Sequence, residues 1–260
     1  MWDAFVEASP QGSIFSTTKW LNLYEEPYKI WGWYKGDELL GGVIDWEPHP
    51  LIPFQGIICK KVDKYTTQMS LENEVSNGLM DVCPNEFFNN YNFTDIRPFL
   101  WRGWKPIIRY TYLLDMNDDT WDNLEKQTRY EINNTKLETG FSTDDFNDLY
   151  DITFARKGLK RPVGREFIEE IRSTIPNIMF VFYDNKKPSS GAMMIQDSKR
   201  WYYILGASTG ENTSAYALWK AFPMVGEVDL VGCNDEKIGK FKKGFGGKLT
   251  PYYGLKRANV

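Results

Sequence analysis

The sequence predicts an α/β fold of the α+β kind, in which helices and strands of mixed order build a mixed sheet. Two observations in the second half of the chain support this prediction. Three strand-like runs follow closely at residues 178–183, 190–196 and 200–205, separated by the turn-forming strings DNK and DSK. Helix-like segments precede and follow them, and a strand meander among helices is typical of a mixed sheet covered by helices.

Length and composition are those of a globular protein. The chain has 260 residues, of which 42 % are hydrophobic and 16 % aromatic, so a disordered chain is excluded because there is ample apolar surface to bury. No apolar run approaches the roughly 20 residues of a membrane-spanning helix. The first residues lack the basic and apolar regions of a secretory signal. We therefore expect a soluble, cytoplasmic protein without a membrane span.

The rarity of histidine and cysteine excludes several kinds of site. His49 is the only histidine, and Cys59, Cys83 and Cys233 lie far apart. A disulfide framework and a Cys/His zinc site are therefore not expected. A Ser-His-Asp triad would need His49, which stands between two prolines in a turn-like segment. No metal site is predicted, and any chemistry falls to Lys, Arg, Tyr, Asp, Glu or backbone groups.

Residues 1–104 are predicted to form a first, smaller unit. A glycine-containing turn, Lys35-Gly36-Asp37, joins two apolar runs and predicts a β-hairpin. The apolar residues of the last predicted helix recur at helical spacing, whereas residues 84–106 are rich in turn-forming residues and predict the end of the unit. The predicted elements are a helix at 17–24, strands at 28–34, 38–45 and 56–60, and a helix at 64–82.

Residues 105–260 are predicted to form a second, complete unit. The elements before the meander are a strand at 107–115, a helix capped at 117–119 that ends at 139–140, and helices at 143–158 and 164–174. The elements after it are a helix at 213–224, a strand at 227–231, a helix at 235–243 and a strand at 249–255. The order of strands and helices is that of an α/β or α+β domain.

Charge is distributed unevenly along the chain. The net charge of −4 excludes a wholly basic nucleic-acid binder, and no DNA partner is predicted. Residues 237–257 nevertheless contain six lysines, one arginine and no acid. Such a stretch suits a phosphate-bearing substrate or the acceptor stem of an RNA.

Several strings follow a familiar order along almost the whole chain. The most specific is IGKFKKGFGG at residues 238–247, followed by PYY at 251–253. The others are FSTTKW at 15–20, GGV at 41–43, YTYLLD at 110–115, RYEI at 129–132, DITFARKG at 151–158 and YYILGAS at 202–208. Together they resemble the Fem-type aminoacyltransferases, whose units have the Gcn5-related N-acyltransferase (GNAT) fold. The resemblance implies tandem GNAT-like units, the second complete and the first shorter.

The resemblance also implies an activity and a catalytic position. Fem-type enzymes form an amide bond between an aminoacyl group, carried by a tRNA, and an amine on a cell-wall precursor. In the family, the lysine of the Phe-Lys pair before Phe-Gly lies where donor and acceptor meet, and here that pair is Phe241-Lys242. Lys242 is the predicted catalytic residue, and Phe241 and Lys243 are predicted to bind substrate beside it.

Two further positions are implied for the acceptor groove. The arginine of the family's Arg-x-Gly helix end corresponds to Arg156, and a tyrosine before Gly-Ala-Ser corresponds to Tyr202 or Tyr203, of which Tyr203 is favoured. Alternation along a strand would turn one of these tyrosines inward. A surface ion pair is the structural alternative for Arg156.

The chemistry gives Lys242 a physical role. Amide formation from an activated ester or thioester needs an oriented neutral amine and stabilisation of an oxyanion, and a cation at that oxygen typically supplies a few kcal/mol. Gly244, Gly246 and Gly247 would let a substrate approach the backbone closely. The alternative is that Lys240, Lys242 and Lys243 form a solvated helix face.

The donor stays open at this point. GNAT enzymes that use coenzyme A resemble one another in a loop Arg/Gln-x-x-Gly-x-Gly/Ala, whereas residues 208–215 read STGENTSA, with one glycine, an acid and no basic residue. This favours an aminoacyl-tRNA over an acyl-coenzyme A co-substrate, and no resident cofactor is expected. The acceptor would be a small-molecule or peptide amine. A non-catalytic module binding a nucleotide sugar or a peptide is the alternative from another functional class.

Overall fold

A computed structural model describes residues 1–117, 119–210 and 213–258. The chain divides into two compact units: unit 1 is Met1–Tyr110 with Thr250–Val260, and unit 2 is Thr111–Leu249. Unit 1 therefore contains both ends of the chain. The limits 1–104 and 105–260 stay a prediction of the domain division, and the two divisions differ mainly in where the last strand belongs.

The described residues form ten α-helices, eleven strands and one short 3-10 turn, Ile14–Ser16. The helices are α1 (Trp2–Ala8), α2 (Thr18–Leu21), α3 (Tyr65–Leu79), α4 (Arg97–Trp101), α5 (Thr120–Asn123), α6 (Lys126–Asn134), α7 (Thr143–Arg156), α8 (Arg165–Thr174), α9 (Ser214–Ala221) and α10 (Glu236–Lys243). The strands are β1 (Lys29–Lys35), β2 (Glu38–Asp45), β3 (Ile58–Cys59), β4 (Glu86–Phe88), β5 (Lys105–Met116), β6 (Glu138–Gly140), β7 (Asn177–Asp184), β8 (Lys187–Gln196), β9 (Trp201–Ser208), β10 (Gly226–Asp229) and β11 (Lys248–Lys256).

Unit 1 is built on the antiparallel sheet β1-β2-β3 and on the pair of β4 with β11. The predicted hairpin is confirmed, since β1 and β2 pair from Lys29↔Asp45 to Lys35↔Glu38. Helix α3 packs closely on β2 because Gly41 carries no side chain: a Cβ there would lie 2.4 Å from Cγ1 of Val75. The fully buried Val75 belongs to the apolar core of this unit.

Unit 2 is built on strands in the order β5-β10-β9-β8-β7-β6. The predicted meander is confirmed as the antiparallel run β7-β8-β9. Asn185 and Lys186 turn between β7 and β8 with φ values of 48° and 65°, a left-handed conformation that tight hairpin turns require. Helix α9 packs on β8 and contributes fully buried alanines and Leu218 to the core. The mixed α/β class predicted from the sequence is confirmed.

Several predicted boundaries were wrong, each for a local reason. The predicted helix at 17–24 is only the four residues of α2, which Thr17 caps directly after the 3-10 turn. The long helix predicted up to 139–140 is interrupted at Leu124, whose ψ of 143° is extended. Its predicted end is strand β6, which pairs with β7. Residues 84–106, predicted as the turn-rich end of the first unit, contain β4 and α4. Asp118, in the predicted cap, lies outside the described residues.

Across the described part of the chain, none of the helices combines the length and the apolar character needed to cross a membrane.

Candidate active site at the split between two strands

Strands β9 and β10 of unit 2 separate soon after they meet. They run parallel and pair only at Val228↔Trp201 and Asp229↔Tyr202. Strand β9 continues to Ser208, whereas the chain after β10 stays beside β5 for one more residue, where the N–H of Leu230 donates to the carbonyl oxygen of Tyr112 at 2.9 Å. We call this opening the split. Its two sides are residues 203–208 and residues 230–232.

The chain on the β10 side of the split adopts an unusual turn. Val231 and Gly232 have φ values of 49° and 71°, both in the left-handed region. A β-branched residue rarely adopts this conformation, which costs free energy that its surroundings must supply. Asp229 is one support, since its Oδ1 accepts the N–H of Val231 at 2.8 Å and the hydroxyl of Thr111 at 2.5 Å.

Asp229 is a carboxyl group enclosed by protein. The residue is fully buried, and its Oδ2 has no hydrogen-bond partner among the described residues. Burial raises the pKa of Asp229 to about 6, against the opposing effect of the bonds from Thr111 and Val231. This carboxyl group therefore titrates much closer to neutrality than an exposed aspartate.

Lys242 binds the β10 side of the split through its side chain. It lies in the last turn of α10, a helix that begins with the side chain of Asp235 accepting the N–H groups of Lys237 and Ile238 at 3.0 Å each. The Lys242 side chain is buried, and its ammonium donates to three consecutive carbonyl groups. The acceptors are the oxygens of Leu230, Val231 and Gly232, at 2.5, 2.6 and 2.6 Å.

These three bonds explain why a lysine is buried at this position. Beyond the separation from β9, the carbonyl groups of residues 230–232 have no neighbouring strand to bond, so they need other partners. An ammonium has three N–H donors and no acceptor, which matches three carbonyl oxygens. Burial still lowers the pKa of Lys242 to about 8, opposed by the negative charge of Asp229. The solvated helix face considered from sequence is excluded for Lys242, which is 6 % exposed.

Tyr203 lies on the opposite side of the split. The centroid of its ring is 5.5 Å from Nζ of Lys242, within the range of a cation–π contact. Its hydroxyl lies over Gly206, where a Cβ would be 1.9 Å from Oη, so only glycine fits beneath it. Burial raises the pKa of Tyr203, so its hydroxyl keeps its proton at neutral pH. Tyr202 instead points into the core and donates to Oδ2 of Asp197 at 2.8 Å.

Arg156 lies beyond the end of β9. Helix α7 is tied to this end by Thr153, whose Oγ1 accepts the N–H of Ser208 at 2.8 Å. Further along both segments, the exposed guanidinium of Arg156 lies against Gly210. A Cβ at Gly210 would be 1.6 Å from Nη1 of Arg156. Helix α7 thus brings a positive charge to the junction 208–210, whose own sequence contains none. Residues 211 and 212, which follow this junction, lie outside the described residues.

The other two predicted site residues lie away from the split. Phe241 packs edge-on against Phe245 with ring centroids 5.4 Å apart, at the margin of the core. Lys243 is exposed and pairs with Glu125 at 3.0 Å, a bond that raises the pKa of Lys243. The structure thus brings Lys242 and Tyr203 together, and the roles assigned from sequence to all six residues stay predictions.

Sequence reasoning missed Asp229 and the turn at Val231 and Gly232. The signal available was a Gly-Cys-Asn-Asp string directly after a strand, which indicated a turn but not which carbonyl groups it would present. Cys233 in that string is partly buried, and burial raises the pKa of its thiol. Within residues 1–117, 119–210 and 213–258, side chains of His, Cys, Asp and Glu nowhere form a group of three or more that could hold a metal ion.

Comparison with known proteins identifies the fold. No family model matches the chain, and no curated protein matches it. Among solved structures, FemX is 14 % identical with a TM-score of 0.66, over 97 % of this chain and 94 % of that chain. A tandem GNAT protein from the clavulanic acid biosynthesis pathway is 8 % identical with a TM-score of 0.53, over 98 % and 92 %.

A third similar structure is the C-terminal domain of a putative lysylphosphatidylglycerol synthetase from Agrobacterium fabrum. It is 12 % identical with a TM-score of 0.53, over 85 % of this chain and 81 % of that chain. At such identities a likeness shows the fold alone. It confirms the predicted resemblance at that level: the chain has tandem GNAT-like units, a fold similar to those of FemX and of the tandem GNAT protein.

Proposed function

We propose that this protein is an N-acyltransferase that joins an activated acyl or aminoacyl group to an amine. The observation that supports this most directly is the split between β9 and β10, where a buried ammonium holds one strand end open opposite Tyr203. The overall fold, shared with FemX and a tandem GNAT protein, agrees with this class of reaction.

The transfer has a simple atom balance. The lone pair of the acceptor nitrogen attacks the acyl carbonyl carbon and forms the C–N bond, while the carbonyl electron pair moves onto oxygen. The oxyanion then returns that pair, the bond from carbon to the donor's oxygen or sulfur breaks, and the leaving group takes up the proton that nitrogen loses. Groups that stabilise the oxyanion therefore lower the barrier of both steps.

Arg156 supports a donor that carries phosphate. Its guanidinium is exposed beside Gly210 at the end of β9, and a planar guanidinium binds phosphate oxygens in pairs. Aminoacyl-tRNA and acyl-coenzyme A both carry phosphate. The run 237–257 does not decide between these two donors, because Lys242 and Arg257 bind backbone carbonyl oxygens and Lys243 pairs with Glu125. The acceptor in this proposal is the amine of a cell-wall or peptide precursor, in the cytoplasm.

Acyl-coenzyme A is the second candidate donor because of the same arginine. The sequence of residues 208–215 contains no base, but α7 supplies one from outside that segment. The charge that the pyrophosphate of coenzyme A requires is therefore present near the junction.

A transfer assay with both donors tests the proposal. The protein is incubated with radiolabelled aminoacyl-tRNA or acetyl-coenzyme A and a set of amine-bearing peptides, and amide products are detected by mass spectrometry. We expect product with one donor, and a raised KM for that donor in Arg156→Met. Lys220→Met, on the exposed face of α9, is the matched control and should behave as the unsubstituted protein. Binding of donor or peptide without any amide product would identify a binding module instead.

A further inference from the structure

The geometry points to the backbone N–H groups of Gly232 and Cys233 as the donors that receive the oxyanion, with Lys242 as the residue that positions them. This inference rests on the proposed acyl transfer and goes beyond it, because it assigns the oxyanion site to the backbone. Lys242 then acts through the turn rather than by touching the substrate.

The first step is that Lys242 has no donor left. Its three N–H groups are all directed to the carbonyl oxygens of residues 230–232, at 2.5–2.6 Å. To stabilise an oxyanion directly, the ammonium would have to release one of these carbonyl groups in a buried place, and an unpaired buried carbonyl is costly.

The second step follows from the planarity of the peptide unit. In a trans peptide, the C=O of one residue and the N–H of the next point in opposite directions. The ammonium holds the carbonyl groups of Val231 and Gly232, so the N–H groups of Gly232 and Cys233 point away from it. The two successive left-handed residues keep these N–H groups side by side, as in the first turn of a helix.

The third step is that these two N–H groups are available. Neither finds an acceptor among the described residues, and both residues are only partly buried. The space beside Gly232 is open, because a Cβ built there would meet no atom within 4 Å. The preceding N–H, of Val231, already binds an anionic oxygen, Oδ1 of Asp229. That N–H is therefore occupied, and the N–H groups of Gly232 and Cys233 are the donors of the turn without an acceptor among the described residues.

Tyr203 is the competing donor for the oxyanion. Its hydroxyl is protonated at neutral pH, but it lies on the side of the split that faces the ammonium. Backbone donors and Tyr203 make opposite predictions for an experiment that removes a single N–H from the turn.

The first experiment measures binding of an oxyanion mimic and needs no activity. Methylphosphonate is titrated into ¹⁵N-labelled protein while the amide resonances of Gly232 and Cys233 are followed. We expect both resonances to shift in a saturable manner, to keep doing so in Lys220→Met, and to lose the response in folded Lys242→Met. Unchanged resonances in the unsubstituted protein, or the same response in Lys242→Met, would overturn the inference.

The second experiment removes one N–H without changing a side chain. Cys233→Ala is compared with a protein that carries lactic acid at position 233, which has the same methyl group but an ester in place of the amide. Because this N–H bonds no described residue, the fold should be retained even where Lys242→Met is unstable. We expect kcat about 100-fold lower for the ester protein, as for loss of one oxyanion donor, with KM within about twofold.

The two experiments separate the inference from the function on which it rests. Equal kcat values for the ester protein and Cys233→Ala would reject the backbone donors while leaving the acyltransferase intact. If no donor supports transfer, the proposed function fails, and the methylphosphonate titration alone decides whether the turn is an anion site.

Discussion

Each unit uses one cationic side chain to hold three backbone carbonyl groups, but the two arrangements differ in kind. In unit 1, Nη2 of Arg257 donates to the carbonyl oxygens beyond the end of α3. They belong to Met80, Asp81 and Cys83, at 2.9, 3.2 and 3.3 Å. In unit 2, the ammonium of Lys242 makes three shorter bonds to consecutive residues in a left-handed turn.

The difference lies in what the carbonyl groups are attached to. Arg257 satisfies carbonyl oxygens of the segment that follows α3, and its guanidinium stacks on Trp104 at 4.5 Å from the ring centroid. Lys242 satisfies oxygens whose partner N–H groups point outward, and its charge depends on pH. Arg257 therefore stabilises the fold, whereas Lys242 can also orient backbone N–H groups for a substrate.

Methionine substitutions of Lys242 and Arg257 should differ most strongly in kcat. Lys242→Met should lower kcat by about 100-fold, because the N–H groups of the turn lose their orientation. Arg257→Met should leave kcat within about twofold of the unsubstituted protein, once both are folded. The measurement is kcat for amide formation at 25 °C, with circular dichroism as the check on folding. Similar losses of kcat for both variants would show that the two cations have the same role.

The free energy of unfolding should depend clearly on Arg257, although kcat should not. Arg257→Met should lower the free energy of unfolding by about 2 kcal/mol, since bonds to a charged donor are lost and carbonyl groups are left without it. Arg257→Lys should recover part of this loss because a cation remains. Urea denaturation measures both values. A loss below about 0.5 kcal/mol in Arg257→Met would mean that water replaces the guanidinium.

The pH dependence of activity should show whether the charge of Lys242 is needed. Burial lowers the pKa of Lys242 to about 8, and a neutral amine can hold only two of the three carbonyl groups. The ratio of kcat in the unsubstituted protein to kcat in Lys242→Met should therefore fall about tenfold per pH unit above pH 8 until it nears one. Using the ratio removes the titration of the acceptor amine, and a ratio that stays constant would contradict the assignment.

The same shift has the reverse sign for stability. Between pH 8 and pH 10.5 the unfolded chain binds a proton at Lys242 that the native state has lost, so this group's contribution to stability increases with pH. Activity should thus decline in a range where the unfavourable contribution of Lys242 to folding becomes smaller. Loss of activity above pH 8 in a protein that remains folded would agree with this.

Unit 1 contains a buried titratable carboxyl group, Glu72, and its substitution should change stability least among these predictions. Glu72 on α3 accepts from Gln11 at 2.8 Å and from Gln68 at 3.2 Å, yet burial raises its pKa to about 7. Native Glu72 therefore binds a proton between pH 4.5 and pH 7 that the unfolded chain does not, and its contribution to stability is lost as the pH rises through 7.

Glu72→Gln should remove this dependence. Its amide oxygen can accept both bonds, so the variant should match the unsubstituted protein at pH 4 and exceed its free energy of unfolding by about 1 kcal/mol at pH 8. Denaturation at the two pH values measures this, and Glu74→Gln on the exposed face of α3 is the control. Equal stability of Glu72→Gln and the unsubstituted protein at pH 8 would contradict the shift.

Local patterns were enough to predict most elements of unit 2. The meander β7-β8-β9 follows from apolar runs joined by turn residues such as Asn185, and α7 follows from its cap and apolar face. Strand β6 was missed because it has only three residues and forms by pairing with β7, which is 37 residues or more away in the chain. A helix ending at Gly140 was the simpler local interpretation, and pairing over distance overrode it.

The candidate site was predicted in part. The resemblance to Fem-type enzymes singled out Lys242 and Tyr203, and the fold brings the Lys242 Nζ within 5.5 Å of the Tyr203 ring centroid. The resemblance could not show that Lys242 is buried, because the oxygens that bind its ammonium belong to residues 230–232 and become available only where β10 leaves β9. The charge run that includes Lys243 resembles an exposed surface and, at Lys243, is one.

The pairing of β4 with β11 sets an order for folding during synthesis. Glu86–Phe88 find their partners at Gly254–Lys256, and Arg257 reaches back to the end of α3. The ribosome releases every residue of unit 2 before it releases these partners. The part of the protein that is translated first is therefore the part completed last, and a nascent chain arrested before residue 250 would expose an unpaired strand edge to chaperones.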